Sequence, residues 1–208
     1  MPDLSFRVTG VESPAHSAAP LLHFKLAIEN ADPQEAIQAI MLRCQFRIEP
    51  TGRQYNGAEK ARLLDLFGEP ERWSHTLRSM LWTHSSIVVP PFRGATEVDL
   101  PAQCTFDLTV ASAKFFDGLE AGDAPLMLLF SGTIFYEAPD GSLQVAQIPW
   151  TKEAAYRLPV SAWKNMMDTH YPNTAWLCLR RDIFERLQRY KMERGIPTWE
   201  QTLESILP

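Results

Sequence analysis

The sequence predicts a mainly β chain with some α: a seven-stranded antiparallel β-sandwich, Ig-like or C2-like, covered by C-terminal helices. Three observations predict it. Apolar and polar residues alternate strictly over several stretches. Turn-forming residues separate those stretches. The last quarter of the chain changes to helical spacing.

The elements follow in chain order. Leu4, Phe6 and Val8 mark a first strand over 3–11. Leu22, Phe24, Leu26 and Ile28 alternate with His23, Lys25, Ala27 and Glu29, giving a second over 21–29. Asn30 to Pro33 breaks it from a third over 37–49, where Ile40, Leu42, Cys44, Phe46 and Ile48 alternate with Met41, Arg43, Gln45, Arg47 and Glu49. Residues 58–67 interrupt the strands with helical spacing through Ala61, Leu64 and Phe67, and Gly68 stands where a helix C-cap would be. A fourth strand spans 80–89, ended by Pro90-Pro91. Pro101 flanks a fifth over 103–110, where Cys104, Phe106, Leu108 and Val110 alternate with polar residues. The sixth and seventh strands, 125–137 and 142–149, join through Pro139-Asp140-Gly141-Ser142, a hairpin signal.

The strand at 125–137 is apolar on both faces, with Met127, Leu129 and Phe135 opposing Leu128, Phe130 and Ile134. Such a strand needs cover on both sides, which the helices would supply. Arg7 in the first strand and Arg43 and Arg47 in the third are charges suited to guarding a sheet edge. A barrel is the competing closure.

Domain 1–157 is thus a sandwich with a helical insertion, and 158–208 a helical segment packed on it, within one structural domain. Val160, Trp163, Met167 and Tyr171 fall at helix spacing after Pro159. Ile183, Leu187 and Tyr190 mark a helix over 181–194 that Gly195 and Pro197 end. Thr198 and Gln201 fit a capping box for a last helix.

Composition removes several classes. Hydrophobic residues make up 45% and charged residues 22%, ordinary for a globular protein. Met1 to Ser13 lack a basic start and a long apolar run, so no secretory signal is expected. The longest apolar run, Leu126 to Phe130, is too short to span a membrane. Three widely spaced cysteines, Cys44, Cys104 and Cys178, read as reduced thiols in a cytoplasmic protein. The net charge of −5 argues against nucleic acid, and the basic residues Arg180 to Arg194 read as one solvated helix face.

Catalytic signatures are missing. The ten glycines form no phosphate-binding loop between a strand and a helix. The five histidines pair with no other His or Cys at ligand spacing, so neither metal nor cofactor is expected. Ser131-Gly132 is the nearest echo of a nucleophile elbow, and it lies inside a strand. His75, His84 and Asp107 are the nominees for an unrecognised active site. The aromatic load carries more information. Of six tryptophans, some must anchor helices, and others in connecting segments are contact candidates. Trp150, Trp176, Trp199 and Tyr171 are the residues expected to touch a partner.

The most distinctive text is Leu158-Pro159-Val160-Ser161-Ala162-Trp163, Tyr171-Pro172-Asn173-Thr174-Ala175-Trp176-Leu177 and Arg181-Asp182-Ile183-Phe184-Glu185-Arg186-Leu187. With Leu4 to Val8 and the strand Leu22 to Glu29, it resembles an uncharacterised, mainly actinobacterial protein family whose members look like those encoded near nickel–iron hydrogenase genes. The resemblance covers most of the chain and implies an accessory or assembly role.

The expected function is therefore a non-catalytic protein-binding or assembly module, possible hydrogenase complex assembly included. Its partner is a protein, as a hetero-complex or a homodimer. A small-molecule or lipid carrier with an apolar cavity, and an enzyme with an unrecognised site, are the alternatives.

Overall fold

The computed structural model describes residues 2–104, 110–174, 177 and 179–207. The chain divides into two compact units, Met1–Asn173 and Thr174–Pro208. The first is built from two antiparallel sheets, neither closed into a barrel. Among the described residues nine strands form them rather than seven.

A three-stranded sheet runs β1 (Leu4–Glu12), β2 (Leu21–Asn30) and β6 (Ala95–Gln103), in that order. A six-stranded sheet has β3 (Ala36–Ile48) and β7 (Asp123–Glu137) paired at its centre. On the far side of β3 lie β4 (Met80–Val89) and the short β5 (Phe92–Arg93). On the far side of β7 lie β8 (Leu143–Gln147) and β9 (Glu153–Pro159). Alternation explains the core: Leu22, Phe24, Leu26 and Ile28 from β2 and Ile40, Leu42, Cys44, Phe46 and Ile48 from β3 are all buried. Phe6 stacks on Phe130 at 4.4 Å and Phe24 meets Phe46 at 4.9 Å, so the two inner faces interlock through aromatic rings.

Helices close the core. The helix α4 (Val110–Gly118) brings Phe115 and Phe116 inward, and α5 (Val160–His170) brings Val160, Trp163 and Met166. Phe116 sits 4.9 Å from Trp82 and stacks on Trp163 at 5.2 Å. Trp82 and Trp163 are thus anchoring tryptophans, as is the buried Trp73 packed on Phe67 in the insertion. The insertion holds α1 (Gly57–Arg62), α2 (Leu64–Phe67) and, after a 3-10 turn, α3 (Trp73–Thr76). Gly68 caps α2 at φ 73°, in the left-handed region that favours glycine. The buried face differs from the expected one. Phe67 is buried, but Ala61 and Leu64 are exposed, while Leu63 and Glu59 turn inward. Glu59, Leu63 and Phe67 fall four residues apart, so one inward face runs through the break at Leu63.

The expected strand at 103–110 is corrected at both described ends. Gln103 closes β6, and Val110 opens α4. Phe106 and Leu108 lie outside the described residues. β6 escaped notice because Pro101 stands inside it, opposite His23. A proline fits there because β6 is an edge strand and needs only one ladder. Of the three arginines expected at a sheet edge, Arg7 alone stands on an edge strand. β1 is an edge, whereas β3 is paired on both sides, so Arg43 and Arg47 guard nothing.

The second unit contains α6 (Arg181–Glu193) and α7 (Trp199–Glu204). Gly195 follows α6 at φ 61°, and the Thr198 side chain accepts a hydrogen bond from the Gln201 N–H to cap α7. Phe184 packs 5.3 Å from Trp199, whose ring also lies beneath Lys191.

Candidate functional site

The outer face of the six-stranded sheet is where polar and apolar chemistry converge. Register fixes its rows. Met41 on β3 is opposite Val88 and Thr133; Arg43 is opposite Ser86 and Ser131; Gln45 is opposite His84 and Leu129. Side chains in one row, and in neighbouring rows of one face, lie within reach of each other. An open concavity of about 500 Å³ occupies this face, lined by Arg43, Gln45, His84, Ser86, Leu129, Ser131 and Trp150.

Trp150 reaches it through a tight excursion of the chain between β8 and β9. The Ile148 N–H donates to the Gly132 carbonyl at 2.9 Å, and the Phe130 N–H donates to the Lys152 carbonyl at 3.0 Å. The Lys152 N–H then donates to the Pro149 carbonyl at 3.0 Å, closing a turn around Trp150 and Thr151. Both ends of the loop are thus clamped to β7 two residues apart, and the indole is pushed out to 89% exposure. Gly132 permits this. Its φ is +144°, and a Cβ there would fall 2.0 Å from the Met41 carbonyl oxygen.

The face continues as an apolar stripe. Met41, Val88, Leu143 and Val145 are all more than half exposed. Met127, Leu129 and Phe135 of β7 are only half-buried. The second apolar face of β7 is therefore not sealed in the way its sequence demanded.

The other nominated residues scatter. Trp199 lies in the second unit, 38% exposed, and Tyr171 is half-buried after the end of α5. Trp176 and Asp107 lie outside the described residues. His75 is exposed on α3. Of the nominees, the groove gathers Trp150 and His84. Reading the sequence missed Arg43, Gln45, Ser86, Leu129 and Ser131. The available signal was the thirteen-residue length of β3, typical of a central strand, with a mixed face turned outward.

Glu12, His23 and Asp99 bring ligand atoms within 4.8 Å of each other. Lys25 already fills the gap, with Nζ at 2.6 Å from Glu12 and 2.7 Å from Asp99. Those bonds, to Asp99 first and Glu12 second, raise the Lys25 pKa above the lysine range. The carboxylates are neutralised by the chain itself, which is poor chemistry for a cation site.

Cys44 and Cys104 are free and buried. Burial pushes the Cys104 thiol up to about 12 and the Cys44 thiol higher still. An unfolded thiol ionises near 8.5, so above that pH the unfolded chain holds fewer protons than the folded one. Stability should then fall by up to about 1.4 kcal/mol per pH unit per thiol until the folded pKa is reached. Urea midpoints at rising alkaline pH should show a slope that Cys44→Ala and Cys104→Ala flatten. Equal slopes in all variants would refute the assignment.

Fold and site together define a two-sheet antiparallel β protein with helical cover and an open, hydrogen-bond-donor-rich groove on one sheet face. The chain belongs to a family of unknown function (DUF6084), whose model matches residues 1–208. No curated protein matches it. Among solved structures it is similar to a late embryogenesis abundant (LEA) protein solved in solution: 14% identity, TM-score 0.34, covering 76% of this chain and 73% of that one. It is also similar to β-glucosidase 3B from Thermotoga neapolitana, in complex with α-D-glucose. That likeness has 13% identity and a TM-score of 0.27, and covers 75% of this chain but 17% of the enzyme. Scores this low carry no argument about activity. No helix among the described residues is long and apolar enough to cross a membrane.

Proposed function

We propose that this protein is a non-catalytic protein-binding or assembly module whose working surface is the outer face of the six-stranded sheet. The observation that carries this reading is Trp150: an indole held 89% exposed on a doubly clamped turn. Holding so large an apolar group in water serves no folding purpose, and tryptophan is the residue type most enriched at binding hot spots. The exposed stripe of Met41, Val88, Leu143 and Val145 extends the same surface.

Three finer readings accompany the proposal. The two sheets are taken as an Ig-like or C2-like sandwich. The free thiols of Cys44 and Cys104 support a cytoplasmic location. The sequence resemblance supports an accessory role in assembling nickel–iron hydrogenase in a bacterial host, as a hetero-complex or homodimer. A carrier has less support, because Leu22, Phe24, Phe46 and Leu128 fill the core at 0% exposure.

The test is affinity purification from the source organism with wild-type and Trp150→Ala protein. Wild type should retain a reproducible partner, and the variant should bind it about 30-fold more weakly. A hydrogenase subunit or maturation factor among the retained proteins would support the assembly role. Identical recovery by both proteins would remove Trp150, and this face with it, from the account.

A further inference from the structure

Building on the reading of this face as a binding surface, we propose that its groove takes an acidic extended segment of a partner protein. A side-chain carboxylate would sit on Arg43, and a neighbouring apolar side chain on Trp150 and Leu129.

Arg43 is the first ground. Many cations of this protein find a carboxylate: Lys25 with Asp99, Arg53 with Glu59, Arg62 with Glu120, Lys114 with Asp65 and Lys152 with Asp3. Arg47, two rows along the same face, donates to Ser79, which in turn donates to Glu49. Arg43 is exposed and makes no hydrogen bond or ion pair among the described residues. It stands on a central strand, with Ser86 and Ser131 as short neighbours on either side. A free guanidinium in that position offers a rigid fork for two parallel bonds to a carboxylate.

Charge complementarity is the second ground. The side chains around Arg43 are those of Gln45, His84, Ser86 and Ser131, all able to donate, and no carboxylate among the described residues lines the groove. Among the described residues, register places one acid next to it, Glu153 at the β9 rim opposite Leu129. In a chain of net charge −5, an unpaired arginine with no carboxylate among its described lining residues selects an anionic segment.

Shape is the third ground. The groove is open and runs on into Met41 and Val88, 55% and 69% exposed. An enclosed pocket suits a small molecule, whereas an open groove continuous with an apolar row suits a length of chain.

The probe is a displayed library of random linear peptides, panned on the whole protein. Peptides enriched on wild type should carry Asp or Glu beside a large apolar residue. A synthetic copy of the best should bind Arg43→Gln at least about tenfold more weakly, recover with Arg43→Lys, and weaken as salt rises. Unchanged melting curves establish that the variants fold. Enriched peptides that need Trp150 but carry no acid would overturn this inference and leave the binding face standing. Enrichment indifferent to both Trp150→Ala and Arg43→Gln would overturn both. No enriched peptide, or Trp150-dependent binding of neutral oligosaccharides or anionic vesicles instead, would also overturn it.

Discussion

Gly132→Ala is expected to destabilise the protein by about 4 kcal/mol, enough to remove much of the stability of an ordinary domain. Two effects add. The residue sits at φ +144°, a region that non-glycine residues enter at about 1–3 kcal/mol. A methyl there also lands 2.0 Å from the Met41 carbonyl and 3.2 Å from the Leu42 Cα, both backbone atoms of the central strand. Backbone cannot rotate away as a side chain can, so β3 and β7 must part where they pair. Gly132 also accepts the Ile148 hydrogen bond that clamps the Trp150 loop. The measurement is a urea unfolding curve, read as a lower midpoint with unchanged slope. A shift under about 1 kcal/mol would show that the strands yield more easily than their pairing implies.

Much of this framework is legible in the residues, because alternation is a direct consequence of one-sided burial. Leu22 to Ile28 and Ile40 to Ile48 point inward at every second position, and the ends of β2, β3 and β4 lie within a residue of those expected. Asp140-Gly141 forms its turn, with the Ser142 hydroxyl and N–H donating to Asp140 and lowering that carboxyl's pKa. The misses have physical causes. β9 exposes Ala155 and buries Ala154, so small residues blur its period. α4 buries Ser112, Ala113, Phe115 and Phe116, a helical spacing that the strand-like text before it obscures. The site was half legible. An exposed tryptophan beside a proline in a connector can be nominated from sequence. A row that sets Arg43 between Ser86 and Ser131 depends on which strands pair, and local sequence does not encode strand order.

Arg53→Met is the other large effect, at about 3 kcal/mol. Glu59 is 2% exposed and belongs to a polar network. Its carboxylate accepts from Arg53 at 2.7 Å, from the Asn56 N–H at 3.2 Å and from the Glu120 N–H at 2.9 Å. The Asn56 side chain in turn accepts a bond from the Glu59 N–H, completing a capping box on α1. Arg53 donates further to the carbonyls of Ala121 and Asp123, where β7 begins. One guanidinium therefore ties the helical insertion to the strand that carries the groove. Methionine keeps the aliphatic bulk and removes the charge, leaving a buried carboxylate with only two amide donors. Breaking one side of a buried pair costs more than the pair contributes, because the remaining charge stays desolvated. Glu59→Gln in the same background should then recover part of the loss by removing that charge. A double-mutant cycle on urea midpoints measures the difference. Additive single effects would mean that Glu59 is held by its backbone donors alone. A positive coupling would identify the ion pair as the link between the insertion and β7.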